Sequence, residues 1–178
     1  MAVTIDGSAS VTINSGAILG ITSGTAVAST SGTSIDFTSI PSWVKRITVM
    51  LSDVSTSGTS NWQIQLGDSG GVETTSYSSA VSRIGASGGS NSTATSGFLI
   101  HNAIVAAGAF LATAQITLLD ASSNTWSCFG TSNSSGSTNS GCLFNGSKAL
   151  SATLTQVRIT TANGTDTFDA GTINILYE

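Results

Sequence analysis

Gly67-Asp68-Ser69-Gly70-Gly71 sets a serine between an acid and two glycines. Such a loop can serve acyl transfer: the serine attacks a carbonyl while adjacent backbone N–H groups hold the oxyanion. That chemistry needs a histidine upstream of the loop to take the serine proton, and an aspartate between the two. The chain's single histidine, His101, comes after the loop, and Val72 stands where serine proteases carry proline. Asp, Ser and Gly are also the residues that build tight turns, and the motif is read as a turn. A fluorophosphonate probe is therefore expected to leave Ser69 unlabelled; labelling would restore the nucleophile.

The other reactive residue types are sparse. His101 closes the run Phe98-Leu99-Ile100-His101-Asn102 and reads as an ordinary hydrogen-bonded histidine at a strand end. One histidine and two distant cysteines do not make a zinc set. Asp166 and Asp169 stand three apart without the further acids of a calcium loop. No catalytic residue, metal or cofactor is expected. Cys128 and Cys142 enclose thirteen residues; a disulfide there would contribute ~3 kcal/mol, while two buried free thiols match the usual burial of cysteine and are preferred. Trp62, in Asn61-Trp62-Gln63, and Trp126, after Asn124-Thr125, have neighbours suited to a sugar-binding surface. Trp62 also shares a strand face with Ile64 and Leu66, so Trp43, Trp62 and Trp126 are assigned to the core.

The elements that must position these residues are strands. The chain has 178 residues, with 8% charged and 39% hydrophobic, and counts 32 Ser, 26 Thr, 20 Gly and one Pro. Low charge beside ample Val, Ile and Leu excludes a disordered chain, and Glu and Lys are too scarce for a helical bundle. Five Lys and Arg against nine Asp and Glu, a net charge of −4, cannot supply a nucleic-acid-binding face. Asn102 to Leu119 is uncharged over eighteen residues, yet Phe110, Ala112, Ala114, Ile116 and Leu118 alternate with Leu111, Thr113, Gln115 and Thr117. That is a strand period, so no membrane insertion is expected. The opening MAVTIDGSAS has neither the basic nor the apolar region of a secretory signal.

From Ser34 onward the pattern gives strands read at Ile35-Phe37, Trp43-Ser52, Ser60-Gly67, Val72-Ile84, Thr93-Asn102, Phe110-Asp120, Thr125-Phe129, Cys142-Phe144, Leu150-Thr161 and Ile173-Tyr177. Loops are expected at Gly85-Ser92 and Gly130-Gly141. The fold class is all-β, a two-sheet antiparallel sandwich of jelly-roll type with an extended N-terminal arm. Residues 1–33 are the arm and 34–178 the sandwich domain. The arm carries the near-repeat VTIDGS and VTINSG, and its apolar residues Val3, Ile5, Val11, Ile13, Ile18 and Ile21 are the candidate docking contacts. Sheet edges are normally guarded by Lys or Pro. With two Lys and one Pro in the chain, the edges are expected to be covered by neighbouring copies in a homo-oligomer.

Three stretches bring a family into view. They are Ser34 to Met50 (SIDFTSIPSWVKRITVM); Ile64 to Thr75 with Thr117-Leu118-Leu119-Asp120 and Asn124-Thr125-Trp126; and Val157 to Glu178 (VRITTANGTDTFDAGTINILYE). Together they resemble a domain of tailed-bacteriophage virion surface proteins, often found at the C-terminal end of tail-fibre-like chains. The resemblance covers residues 34–178. It implies a non-enzymatic virion structural protein, commonly a homotrimer, with no catalytic residues to carry over. Its partners would be further copies of itself, other tail or capsid proteins, and a host surface glycan whose binding residues the resemblance does not give. Where such chains usually have a long shaft, only 33 residues precede the domain here. The expected role is a small tail-fibre or spike-tip module contacting the host. The alternatives are a capsid decoration protein docked by its arm and, more distantly, a free carbohydrate-binding module.

Overall fold

The computed structural model describes residues 11–13, 16–18, 20–85, 88–102, 104–134 and 140–178. Among these residues the regular elements are all strands. Four short ones lie in the arm: β1 (Val11–Ile13), β2 (Gly16–Ile18), β3 (Thr22–Ser23) and β4 (Val27–Ala28). There follow β5 (Ser34–Phe37), β6 (Arg46–Thr56), β7 (Trp62–Asp68), β8 (Gly71–Val72), β9 (Ser78–Ile84) and β10 (Ser90–Ala94). The chain ends with β11 (Phe98–His101), β12 (Phe110–Asp120), β13 (Thr125–Ser134), β14 (Gly141–Ala149), β15 (Gln156–Thr161) and β16 (Phe168–Tyr177).

They form two antiparallel sheets, neither closed into a barrel. The larger runs β10-β9-β14-β13-β12-β6-β16, with β3 and β4 both against β16; the smaller runs β11-β7-β15-β5, with β8 on β7. β1 and β2 pair only with each other. The inward rows of the sheets meet in one core. Ile47, Val49 and Leu51 of β6 and Ala112, Ala114 and Ile116 of β12 face Ile64, Leu66, Val157 and Ile159 of the smaller sheet. Trp62 anchors one end, edge-on to Phe110 at 5.0 Å, with its indole N–H donating to Thr56 Oγ1 at 3.1 Å.

β12 matches its sequence reading residue for residue. Four readings need correction. Val72-Ile84 is two strands, β8 and β9, because the chain turns between them at Ser76 (φ 60°). Thr93-Asn102 is also two: β10 ends in the larger sheet and β11 begins in the smaller, with the crossing at residues 95–97. β13 runs on to Ser134 and β14 begins at Gly141, so residues 130–134 and 141 of the loop expected at Gly130-Gly141 are strand. Trp43 is not a core residue. It precedes β6, is 36% exposed, and rests against Tyr177 with ring centroids 5.8 Å apart.

Both cysteines are free and buried. Cys142 lies opposite Ser132 and Cys128 opposite Gly146, four residues apart in register. At ~3.3 Å per residue no disulfide can span that offset. Gly130 explains how β12, β13 and β14 pack so closely. A Cβ there would fall far inside contact distance of the Thr113 carbonyl and the Phe144 ring. Gly130→Ala is expected to cost about 1–3 kcal/mol, read as a lower thermal midpoint by circular dichroism. An unchanged midpoint would show that the strands separate freely at that point.

Candidate functional site

The acyl-transfer reading fails on geometry. Asp68 and Ser69 open the turn between β7 and β8, where Asp68 Oδ1 accepts the Gly70 N–H at 2.7 Å and Oδ2 accepts the Ser151 hydroxyl at 2.6 Å. These bonds hold the Asp68 carboxyl below its usual range, Ser151 contributing most. His101 pairs with Trp62 at the opposite end of β7, so six residues of strand, ~20 Å, separate it from the serine. Among the described residues no three His, Cys, Asp or Glu side chains gather in one place.

The sandwich has two distinct ends. At one end, here the base, lie the start of β6, the end of β16 and the turn after β12. The arm joins the domain there. Thr22 pairs with Tyr177 and Ser23 with Leu176, Val27 with Ile173 and Ala28 with Thr172. The fully buried Ser29 then closes the contact, donating its N–H to Gly171 O and its hydroxyl to Ala170 O. The arm thus climbs the free side of β16 away from the base. One of the edges expected to need a neighbouring copy is covered by the chain's own arm. Ile21 is 66% exposed at the base, beside Tyr177 and Glu178, and Leu119 and Trp43 are exposed at the same end. Of the other docking residues, Val11, Ile13 and Ile18 fall in the β1–β2 hairpin, where Val11 pairs with Ile18. Val3 and Ile5 lie outside the described residues.

At the other end, the tip, the β9–β10 and β13–β14 connections emerge side by side because β14 pairs with β9. Parts of both loops lie outside the described residues. Beneath them His101 is buried, its Nδ1 2.7 Å from Ser132 Oγ and its ring edge-on to Phe110 at 4.6 Å. Ser132 donates its own proton to Ile100 O. Its oxygen must therefore accept from His101, which fixes the imidazole proton on Nδ1.

A third surface is the outer face of the larger sheet. The alternation that sends Trp126 and Cys128 inward sends Phe129 out, 51% exposed, in the middle of a central strand. Register places Gln115 directly opposite it on β12 and Asn145 directly opposite on β14. In the next row Thr131 lies between Thr113 and Leu143, the last 55% exposed. These six side chains line an open depression of about 450 Å³. Trp62 and Trp126, assigned to the core from the sequence, are both buried, and Phe129 is the aromatic side chain exposed on this face.

No family model matches the chain, and neither does any curated protein or solved structure. The fold places it among all-β proteins built from two antiparallel sheets, and a function must be argued from these surfaces.

Proposed function

We propose that this chain is a small, non-enzymatic surface module of a bacteriophage virion, fixed by its base and arm with its tip turned outward. The observation that carries the reading is the polarity of the sandwich. The arm joins at the base and β16 ends there, while β9 and β13 end, and β10 and β14 begin, at the opposite end. The exposed Ile21, Trp43 and Leu119 give the base apolar contacts for a larger particle. The family resemblance of residues 34–178 supports the virion setting and, with it, a jelly-roll lineage and a homotrimer. A tail-fibre or spike-tip position comes first, because it leaves the tip and the sheet faces free to meet the host.

Docking on a capsid lattice is favoured by the same apolar base, which would suit a decoration protein equally well. Immunogold labelling of phage particles with antibody to residues 34–178 separates the two. Gold at the tail end supports the adhesin, gold over the head makes it a decoration protein, and unlabelled particles would remove the virion reading. For the trimer, light scattering after size exclusion is expected to give three times the 17.8 kDa of one chain. A single-chain mass at micromolar concentration would sink it.

A further inference from the structure

Around Phe129 the outer face of the larger sheet lacks the charges that usually keep an exposed sheet wet and solitary. The depression around Phe129 continues into a second one of about 480 Å³, and the two share Asn145. The second is lined by Ser78 and Ala80 of β9 and by Thr93, Ala94 and Thr95 on the β10 side. Together they make a trough crossing β12, β13, β14, β9 and β10 in that order, four strand spacings or ~19 Å long. None of the side chains lining it is charged.

We propose that this trough binds an extended neutral oligosaccharide, one sugar stacking its C–H face on Phe129 between the amides of Gln115 and Asn145. Each feature matches what such a ligand offers. A pyranose ring has an apolar C–H face and a rim of hydroxyls. Phe129 supplies the flat apolar partner, and the amides on either side of it can each donate and accept hydrogen bonds. Neither amide is committed elsewhere: among the described residues the Gln115 and Asn145 side chains bond to no other protein group. Thr113 and Thr131 add hydroxyls in the next row, and Leu143 extends the apolar strip diagonally from Phe129. The volume lies in the range of ligand sites, and the length admits several sugar units. The absence of charge selects neutral sugars over sialylated or sulfated ones. A second copy of the chain is the competing occupant, but it would leave both amides facing an uncharged copy of themselves.

This deepens the host-contact reading by naming a ligand class, and it rests on that reading only for its biological setting. Binding by the isolated chain and position on the particle are separate measurements. The full chain would be applied to immobilised neutral tetrasaccharides of glucose, galactose and N-acetylglucosamine, with sialylated and sulfated sugars as acidic probes. The best neutral tetrasaccharide would then be titrated calorimetrically. Retention of at least one neutral probe is expected, with Phe129→Ala weakening it about tenfold or more and Gln115→Ala or Asn145→Ala about three- to tenfold. Val105→Ser, exposed in the connection between β11 and β12, should leave affinity unchanged. Because Phe129 is exposed, the variant's thermal midpoint is expected to hold, so lost binding would not be lost folding. Retention of acidic probes alone, or of none, overturns the proposal, as does a neutral ligand indifferent to Phe129→Ala. So does an oligomer that Phe129→Ala dissociates, because the face would then belong to a second copy.

Discussion

Replacing Glu73 by alanine is expected to lower stability by about 3 kcal/mol, at the lower end of the cost of stranding one partner of a buried ion pair. Its partner Lys148 is only 3% exposed, with Nζ 2.5 Å from Glu73 Oε2 and 5.3 Å from the centre of the Tyr77 ring. Glu73 Oε1 also accepts the Ser151 N–H at 2.7 Å. Burial alone would raise the Glu73 carboxyl, but the bonds from Lys148 and Ser151 more than offset it and hold it below its ordinary value. Removing the carboxylate leaves a buried ammonium with only a ring for company, and an amide without an acceptor. The partly open Glu73 side admits some water, which limits the loss. In a chain of this size the thermal midpoint should fall by roughly 6–12 °C. Lys148→Met removes the charge together with its need for a partner and should cost far less. Equal losses for the two variants would mean that the pair acts by packing and not by charge.

The second large effect is acid sensitivity centred on His101. Burial, aided by the nearby Arg83 charge, pushes its folded pKa down to about 4, whereas an unfolded histidine titrates near 6.5. As pH falls the unfolded chain takes the proton first. The histidine's contribution is therefore complete above pH ~6.5 and is lost between there and about 4, a total of about 3 kcal/mol. His101→Asn keeps a donor for Ser132 and has nothing to titrate in that window. Urea midpoints measured at pH 7.5 and 4.5 should separate widely for the parent protein and stay close for the variant. A variant as acid-sensitive as the parent would assign the effect elsewhere. Below pH ~4.5 the lowered Glu73 and Asp68 carboxyls act in the same direction, since a depressed carboxylate gives up its stabilisation as it is protonated.

Much of the fold was readable because β12 and β6 each have one buried and one solvent face, so their side chains alternate cleanly. The strand readings at 72–84 and 93–102 run past their breaks because the residues there, Glu73-Thr74-Thr75-Ser76 and Thr95-Ser96-Gly97, are mostly the Ser and Thr that also fill the strands. Tyr77, between β8 and β9, is itself buried and donates its hydroxyl to backbone carbonyls, so it reads like a residue of a strand. β7 hides its alternation differently. Gln63 and Gln65, on its outward side, are buried against the crossing at 95–97, where Gln65 donates to Ser96 O and Gln63 accepts the Ser96 hydroxyl. Of the trough proposed to bind sugar, only the outward direction of Phe129 could be read, from Trp126 and Cys128 pointing in. Its flanking amides come from strands 14 and 16 residues away, brought opposite by register, and register is a property of turns and pairing that composition does not carry.

The union of arm and β16 also sets a timetable. Asn174 Nδ2 reaches Ser23 Oγ across 151 positions of chain, so the arm must wait for a strand made 151 residues later. At ~5–20 residues per second of synthesis, that wait is roughly 8–30 seconds. Through it β6 lacks one neighbour, and the arm has no strand of its own chain to join. The larger sheet can be finished only once β16 has been made, and a pairing this distant in sequence is slow to find. Copies emerging close together from one message would thus meet while each still has an open β16 edge and an unseated arm, which makes the order of folding and assembly a matter of kinetics.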